Sequence, residues 1–365
     1  MSRPAVAHIR LDAFRHNYRV AKKLHGGKSL AVIKANAYGH GAVQCAQAIA
    51  NEADGFAVAC LEEALQLRQA GIKNPILLLE GFFEAAELPE IISNDLWIVI
   101  HAQWQIEVLL AAKLAKPVHV WLKMDSGMHR AGLEASAYEA AYMRLSGHAN
   151  IAKIVLMSHF ANADNLKSEH TMQQIALFQN TVQSLGVQEI SAQEVSLSNS
   201  AAILGWPQSY KNWSRPGIML YGADPLYSTD TPLRAVMQLT SQIISIRQIQ
   251  KGESIGYGSI FTAEKNMKIG VVACGYADGY PRSASSSPSI HTPASVDGNM
   301  TKVIGRVSMD MLFVDLTGID NGKIGLHVEL WGDQVLANDV AKAAGTIAYE
   351  MFCNVKRVQF KYSDN

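Results

Sequence analysis

The chain has 365 residues, 48% of them hydrophobic and 18% charged, which is long and apolar enough for two packed cores and excludes a disordered protein. Lysine plus arginine and aspartate plus glutamate number 32 each, so no basic surplus points to nucleic acid and no acidic run to a solvating tail; small molecules or copies of itself are the expected partners. Cys45, Cys60, Cys274 and Cys353 lie far apart with no CxxC or histidine-rich metal spacing, and residues 1–10 lack the apolar core of a signal peptide. The expectation is therefore a cytoplasmic, metal-free protein with buried thiols and no membrane contact.

In chain order, eight short apolar runs recur at 30–33, 56–59, 76–79, 97–100, 118–122, 154–157, 195–197 and 218–220. The stretches between them, such as 61–70, 103–115, 135–145 and 172–185, carry apolar residues at helical spacing. Eight strands alternating with helices predict an α/β chain built on a (β/α)8 TIM-type barrel over 11–234, with a doubly wound sheet as the plainer alternative. Pro225, Ser228, Thr229 and Pro232 then punctuate a linker, and residues 236–249 alternate in the β manner. Further strand candidates at 269–274, 302–304, 311–315, 327–331 and 355–360, a helix candidate at 339–344 and a polar loop at 283–293 predict a mostly-β C-terminal domain over 235–365.

Lys34 ends the first apolar run and enters the turn Ala35-Asn36-Ala37-Tyr38-Gly39-His40-Gly41. The carboxyl end of a parallel strand is where barrels place their chemistry. Tyr38 adds a hydroxyl, and Gly39 and Gly41 let the backbone approach an anion, a combination that suits covalent capture of a phosphorylated aldehyde. The run AVIKANAYGHG closely resembles the pyridoxal 5'-phosphate attachment segment of alanine racemases, and the likeness covers nearly the whole chain. It implies interconversion of L- and D-alanine by two bases on opposite faces of the substrate, in a homodimer whose active sites are shared between subunits. It also implies that a strand within residues 1–10 joins the β domain.

By this resemblance Lys34 is one base and Tyr257, in Ile255-Gly256-Tyr257-Gly258, the other, with His159 hydrogen-bonded to Tyr257 and polarised by Arg215. Arg215 would face the pyridine nitrogen and, being unable to give up its proton, leave the ring neutral. Tyr38, Asn199, Ser200, Gly217, Ile218 and Tyr349 would gather round the phosphate. In Lys123-Met124-Asp125-Ser126-Gly127-Met128-His129-Arg130, Arg130 would meet the cofactor and the substrate carboxylate, and Lys123 would be carbamylated; Ser126 stands where the family more often has threonine. Tyr280, Met309 and Asp310 would wall the substrate pocket and its entrance. Three alternatives stand beside this reading. A non-catalytic carrier of the same cofactor would lack the β domain with Tyr257, a decarboxylase is disfavoured by Arg215, and a broad-specificity racemase would change only the substrate. The resemblance leaves open whether the enzyme supplies D-alanine for peptidoglycan or degrades it, although Leu79-Glu80-Gly81-Phe82-Phe83 resembles the catabolic group.

Overall fold

A computed structural model describes residues 3–185, 193–228, 230–286, 290–319 and 321–364. Of the sequence expectations, Met1 and Ser2 of the amino terminus, Thr229 of the linker and 287–289 of the polar loop lie outside the described residues.

After β1 (Val6–Arg10), eight strands close a parallel barrel in sequence order: β2 (Lys28–Val32), β3 (Gly55–Val58), β4 (Ile76–Leu78), β5 (Leu96–Ile100), β6 (Val118–Lys123), β7 (Ile151–Met157), β8 (Val195–Asn199) and β9 (Trp213–Arg215). Parallel strands covered by helices are buried on both faces, and so β3 and β4 read as uninterrupted apolar runs rather than alternating ones. The helix Leu11–His25 shows why its ends fall where they do. Asp12 lies in its first turn, Lys22 and Lys23 complement the dipole in its last, and Gly26 closes it at φ 76° with its N–H on the Lys22 carbonyl. At the amino-terminal end of the strands the barrel is plugged by aromatic rings. Trp97 on β5 meets Trp213 on β9 edge to face at 5.8 Å, a contact that crosses the interior, and Trp121 packs on Trp213 at 5.6 Å. Chemistry is left to the opposite mouth.

The rest of the chain builds β10 (Met237–Ile249), β11 (Ser254–Ile255), β12 (Phe261–Thr262), β13 (Met267–Val272), β14 (Thr292–Val296), β15 (Asn299–Ile304), β16 (Leu312–Asp315), β17 (His327–Trp331) and β18 (Gln359–Ser363). All but the small β11–β12 hairpin form one eight-stranded sheet with β1, in the order β13-β16-β15-β14-β17-β10-β1-β18. The 13-residue β10 also pairs with β13, curling that sheet back on itself. The strand implied at the amino terminus is β1, antiparallel to β10 and parallel to β18.

Several sequence expectations need correction. The eighth barrel strand is Trp213–Arg215, whereas the apolar run at 218–220 is a 3-10 turn, Ile218–Tyr221. Pro216 lacks a ladder donor and ends the strand, and an apolar run this short is equally at home in a buried turn. The last strand lies not at 355–360 but at Gln359–Ser363, because Arg357 takes a positive φ of 55° and turns the chain first. The loop placed at 283–293 gives way to β14 at Thr292, and the helix Ala348–Asn354 was not foreseen. Cys45 and Cys274 are buried thiols, but Cys60 is half-buried and Cys353 exposed.

Candidate active site

Beyond β2 the chain does not enter an ordinary helix. Ala35, Asn36, Ala37 and Tyr38 all adopt left-handed angles, φ 50° to 54°, and Gly39 follows at 79°. For a side chain with a Cβ this costs about 1–2 kcal/mol per residue, so four in a row persist only because their surroundings hold them. Ala37 N donates to Ile33 O at 2.8 Å, Gly41 N to Asn36 O at 3.0 Å, and Ala42 N to Asn36 Oδ1 at 2.9 Å. Glu63 bridges this turn to the next loop, accepting from Ala35 N and Ala59 N, both at 2.7 Å. His40 closes it from beneath. Its Nδ1 lies 2.9 Å from Tyr38 O and 3.1 Å from Ala37 O, so that nitrogen carries the proton, and burial pushes the ring's pKa down to about 4. Gly39 packs so tightly that a Cβ there would lie 2.2 Å from Phe352 O. Lys34 is thereby presented at the rim by a rigid, strained loop.

Lys34, Tyr38, Lys123, Arg130, His159, Asn199, Ser200, Arg215, Gly217, Ile218 and Tyr349 line one cavity of about 690 Å³ at the carboxyl ends of the barrel strands. The Arg130 loop is shaped by Asp125, whose Oδ1 accepts the amides of Gly127, Met128 and His129 at 2.9 to 3.1 Å. Burial alone would raise the Asp125 pKa, but these bonds hold it below the usual carboxylate range. Lys123, at the end of β6, is buried, with its pKa pushed down to about 8 by desolvation and then by Arg130 and Arg215. His159 is driven well below its ordinary value by burial and then by Arg215, Lys123, Arg130 and Lys34, so it stands as a neutral imidazole. Arg215, expected to polarise His159, does so through its charge. Arg215 gives its donors to Ser196 Oγ, Ser158 O (2.6 Å) and Leu197 O (3.3 Å), and what reaches His159 is its charge. Burial lowers the guanidinium to about 10, still fully protonated at neutral pH.

On the opposite wall Asn199 caps the helix Ser200–Gly205 through Ala202 N at 3.0 Å, which turns its side chain inward to the helix. Ser200 Oγ accepts Gly217 N at 2.8 Å and Met219 N at 3.3 Å and keeps its own proton to donate. A Cβ on Gly217 would stand 2.7 Å from Tyr38 Oη, so the glycine makes room for that phenol. Tyr38 packs on Tyr221 (4.7 Å) and Tyr349 (5.8 Å), and burial raises both Tyr38 and Tyr349, keeping them neutral donors.

This lining fits the expected cofactor. Among the described residues Lys34, Lys123, Arg130 and Arg215 have no ion-pair partner, against only Glu80 and Glu350 in the same wall, so the cavity holds a cationic surplus. A phosphate and a substrate carboxylate would neutralise it, beside an amine able to attach an aldehyde.

The remaining expected residues lie elsewhere. Tyr257 sits on the turn between β11 and β12, held out by Gly256 (φ 72°) and Gly258 (φ 75°), and is 68% exposed. Met309 is 53% exposed on the loop after β15. The Asp310 carboxylate pairs with Arg357 at 2.9 Å. Neither Tyr257, Met309 nor Asp310 lines the Lys34 cavity of its own chain. Tyr280 must be corrected: it is buried, its ring stacked on Trp331 at 5.9 Å, and so it cannot reach an entrance. The exposed tyrosine of that segment is Tyr276, whose N–H bonds Ser308 O at 3.1 Å and brings its loop against the Met309 loop. Nothing in Gly275-Tyr276-Ala277-Asp278-Gly279-Tyr280 marks it in the sequence; the 3-10 turn Tyr276–Asp278 separates the two tyrosines.

Residues 9–225 match the profile of the alanine racemase N-terminal domain and residues 236–362 that of the alanine racemase C-terminal domain. A catabolic alanine racemase of Pseudomonas putida is 54% identical over 363 residues, covering 99% of each chain. The crystal structure of the biosynthetic alanine racemase of Pseudomonas aeruginosa superimposes with a TM-score of 0.92 at 45% identity, covering 99% of both chains. That of Bartonella henselae alanine racemase with covalently bound pyridoxal phosphate does so with a TM-score of 0.86 at 30% identity, covering 99% of both. With both halves matched in order, and with the barrel and the antiparallel sheet reproduced, this chain belongs to the alanine racemase family.

Proposed function

We propose that this enzyme interconverts L- and D-alanine with pyridoxal 5'-phosphate held in the Lys34 cavity, and that it works as a homodimer, each cavity completed by the β face of the partner. The observation that carries the dimer is the exposure of Tyr257, Ile260, Tyr276, Met309 and Met311 on neighbouring loops of one chain. An apolar patch of that kind, bearing the second base, marks a surface that docks. The reading divides the chain near 234/235, just before β10, and places it in the cytoplasm; among the described residues no helix is long and apolar enough to cross a membrane.

Pyridoxal 5'-phosphate, when bound, withdraws electrons from the α-carbon of an attached amino acid and acidifies its proton. Lys34 would hold the cofactor and, once released, its Nζ takes the proton on one face, while Tyr257 Oη delivers one to the other; the reverse reaction exchanges these roles. Arg215, a donor only, would stand at the ring nitrogen and deny it a proton, which limits how far charge spreads and favours quick reprotonation over side reactions. Ser200, Tyr38 and Tyr349 would grip the phosphate, and Arg130 the substrate carboxylate. His159, neutral, can accept the Tyr257 hydroxyl proton in a hydrogen bond and so help that phenol act as a base.

Subunit complementation tests this. Lys34→Ala and Tyr257→Phe chains, each inactive alone, are unfolded and refolded together. A shared site restores one complete cavity in every mixed dimer, or about a quarter of wild-type activity for random pairing. Activity no higher than the sum of the two parents overturns the shared site.

A further inference from the structure

We infer that Arg3 is a positioning residue for substrate selection, a clamp that holds together the two loops carrying Tyr276 and Met309. The inference rests on the proposal above that the β face carrying these loops completes the partner's cavity, where they would border the substrate. Arg3 precedes β1, yet its guanidinium reaches Asp278 and Asp310, 275 and 307 positions later in the chain. It makes a bidentate pair with Asp278, Nη1 to Oδ1 at 2.8 Å and Nη2 to Oδ2 at 2.9 Å, and Nη2 also donates to Asp310 O at 2.9 Å. Asp278 is fully buried, and Arg3 is its ion-pair partner among the described residues. The same carboxylate accepts Gly275 N at 3.0 Å, so it shapes the turn that presents Tyr276.

The two loops are also joined directly, by Tyr276 N to Ser308 O (3.1 Å) and Ala277 N to Met309 O (2.9 Å). That approach depends on Gly275, where a Cβ would stand 2.4 Å from the carbonyl oxygens of both Ser308 and Met309. Past Met309 the strap is Arg3 on the Asp310 carbonyl, with Arg357 on the Asp310 carboxylate at 2.9 Å. A planar fork that bonds a carboxylate and a carbonyl at once is something lysine cannot reproduce. Without it, Asp278 is a buried charge lacking its counter-ion, and it must turn outward or take a proton, releasing Gly275 and the Tyr276 turn. The Met309 loop then loosens, and the limit it sets on the substrate side chain relaxes.

The test uses the full-length holoenzyme with Arg3→Ala and Arg3→Lys, and with Arg3→Ala combined with Asp278→Asn to remove the buried charge should the single variant fold poorly. Racemisation of alanine and of serine is measured in both directions. Expected is a KM for alanine raised about fivefold with kcat changed less than about twofold, a loss of the preference for alanine over serine, and an intermediate effect for lysine. Absorbance of the bound cofactor should be unaltered. The double variant should regain thermal stability but not the low KM, which separates the clamp from a merely structural role. Unchanged KM and unchanged preference in the folded Arg3 variants overturn the inference. Tyr276→Ala is the reference: if it moves KM while Arg3→Ala does not, only the clamp fails, and if it too is silent, the reading of these loops as a substrate wall fails with it.

Discussion

The barrel mouth and the β face of this chain are built on opposite plans. The mouth is concave and cationic, its groups fixed by dense local bonding: a strained left-handed turn under Lys34, three amides on Asp125, two on Ser200. The β face carries exposed apolar side chains, with Tyr257 projecting from a glycine-flanked turn. Strain and buried charge are tolerated where surroundings over-determine a conformation, whereas exposed aromatic and methionine side chains are tolerated where a second surface will cover them. One chain thus carries a cationic cavity built from its own barrel and, apart from it, an exposed apolar patch that on the proposed reading completes the cavity of a partner.

The sharpest way to break this comparison is Lys34→Ala, which should abolish the absorbance of bound cofactor together with turnover, a loss of about 10⁴-fold or more. Normal racemisation by that variant would remove the mouth from the mechanism. Tyr257→Phe acts on the other half. The cofactor spectrum should survive, the rate fall by about 10²–10⁴-fold, and exchange of the α-proton with solvent become strongly biased to one enantiomer; equal loss in both directions counts against two separate bases. Gly217→Ala sharpens the claim that the mouth is pre-shaped. The added methyl, 2.7 Å from Tyr38 Oη, should weaken cofactor binding about tenfold in an equilibrium titration while leaving the dimer intact.

The smallest effect concerns Lys123. With a pKa near 8, part of this lysine is an uncharged amine at neutral pH and open to carbon dioxide. Native mass spectrometry of its peptide under non-acidic conditions should show one added carbon dioxide, and its absence rejects carbamylation. The uncarbamylated apoenzyme gives a second readout. Its folded pKa lies below the ordinary 10.5, so between about pH 8 and 10.5 the unfolded chain binds more protons and stability rises with pH; below 8 the full penalty persists. Lys123→Met should therefore melt higher than wild type at pH 7, the gap closing as the pH approaches 10.5.

Some of this was legible in the order of residues. Seven of the eight barrel strands were anticipated because buried parallel strands are continuous apolar runs, and the eighth was missed because Trp213-Ser214-Arg215 points polar groups into the barrel while the turn after it is apolar. Lys34, Tyr38, Arg130, His159, Ser200 and Arg215 do meet in one cavity. Tyr280 was mistaken for Tyr276 because two tyrosines four residues apart look alike until a 3-10 turn buries one and exposes the other. The left-handed path of Ala35 to Tyr38 could not be foreseen, since alanine and tyrosine disfavour it and it is held by bonds to Ile33, Asn36, His40 and Glu63 that form only in the folded chain.

Amino-acid order by itself determined the two-part architecture, because hydrophobic period is a local property, and the family, because the motif around Lys34 is contiguous in the chain. Tertiary structure alone decided which of the candidate site residues share a cavity, how far burial moves the titration of Lys123 and His159, and that Tyr257 stands exposed away from Lys34 in its own chain. Those depend on distance, desolvation and neighbours remote in sequence, as in the reach of Arg3 to Asp278, and no local pattern encodes them.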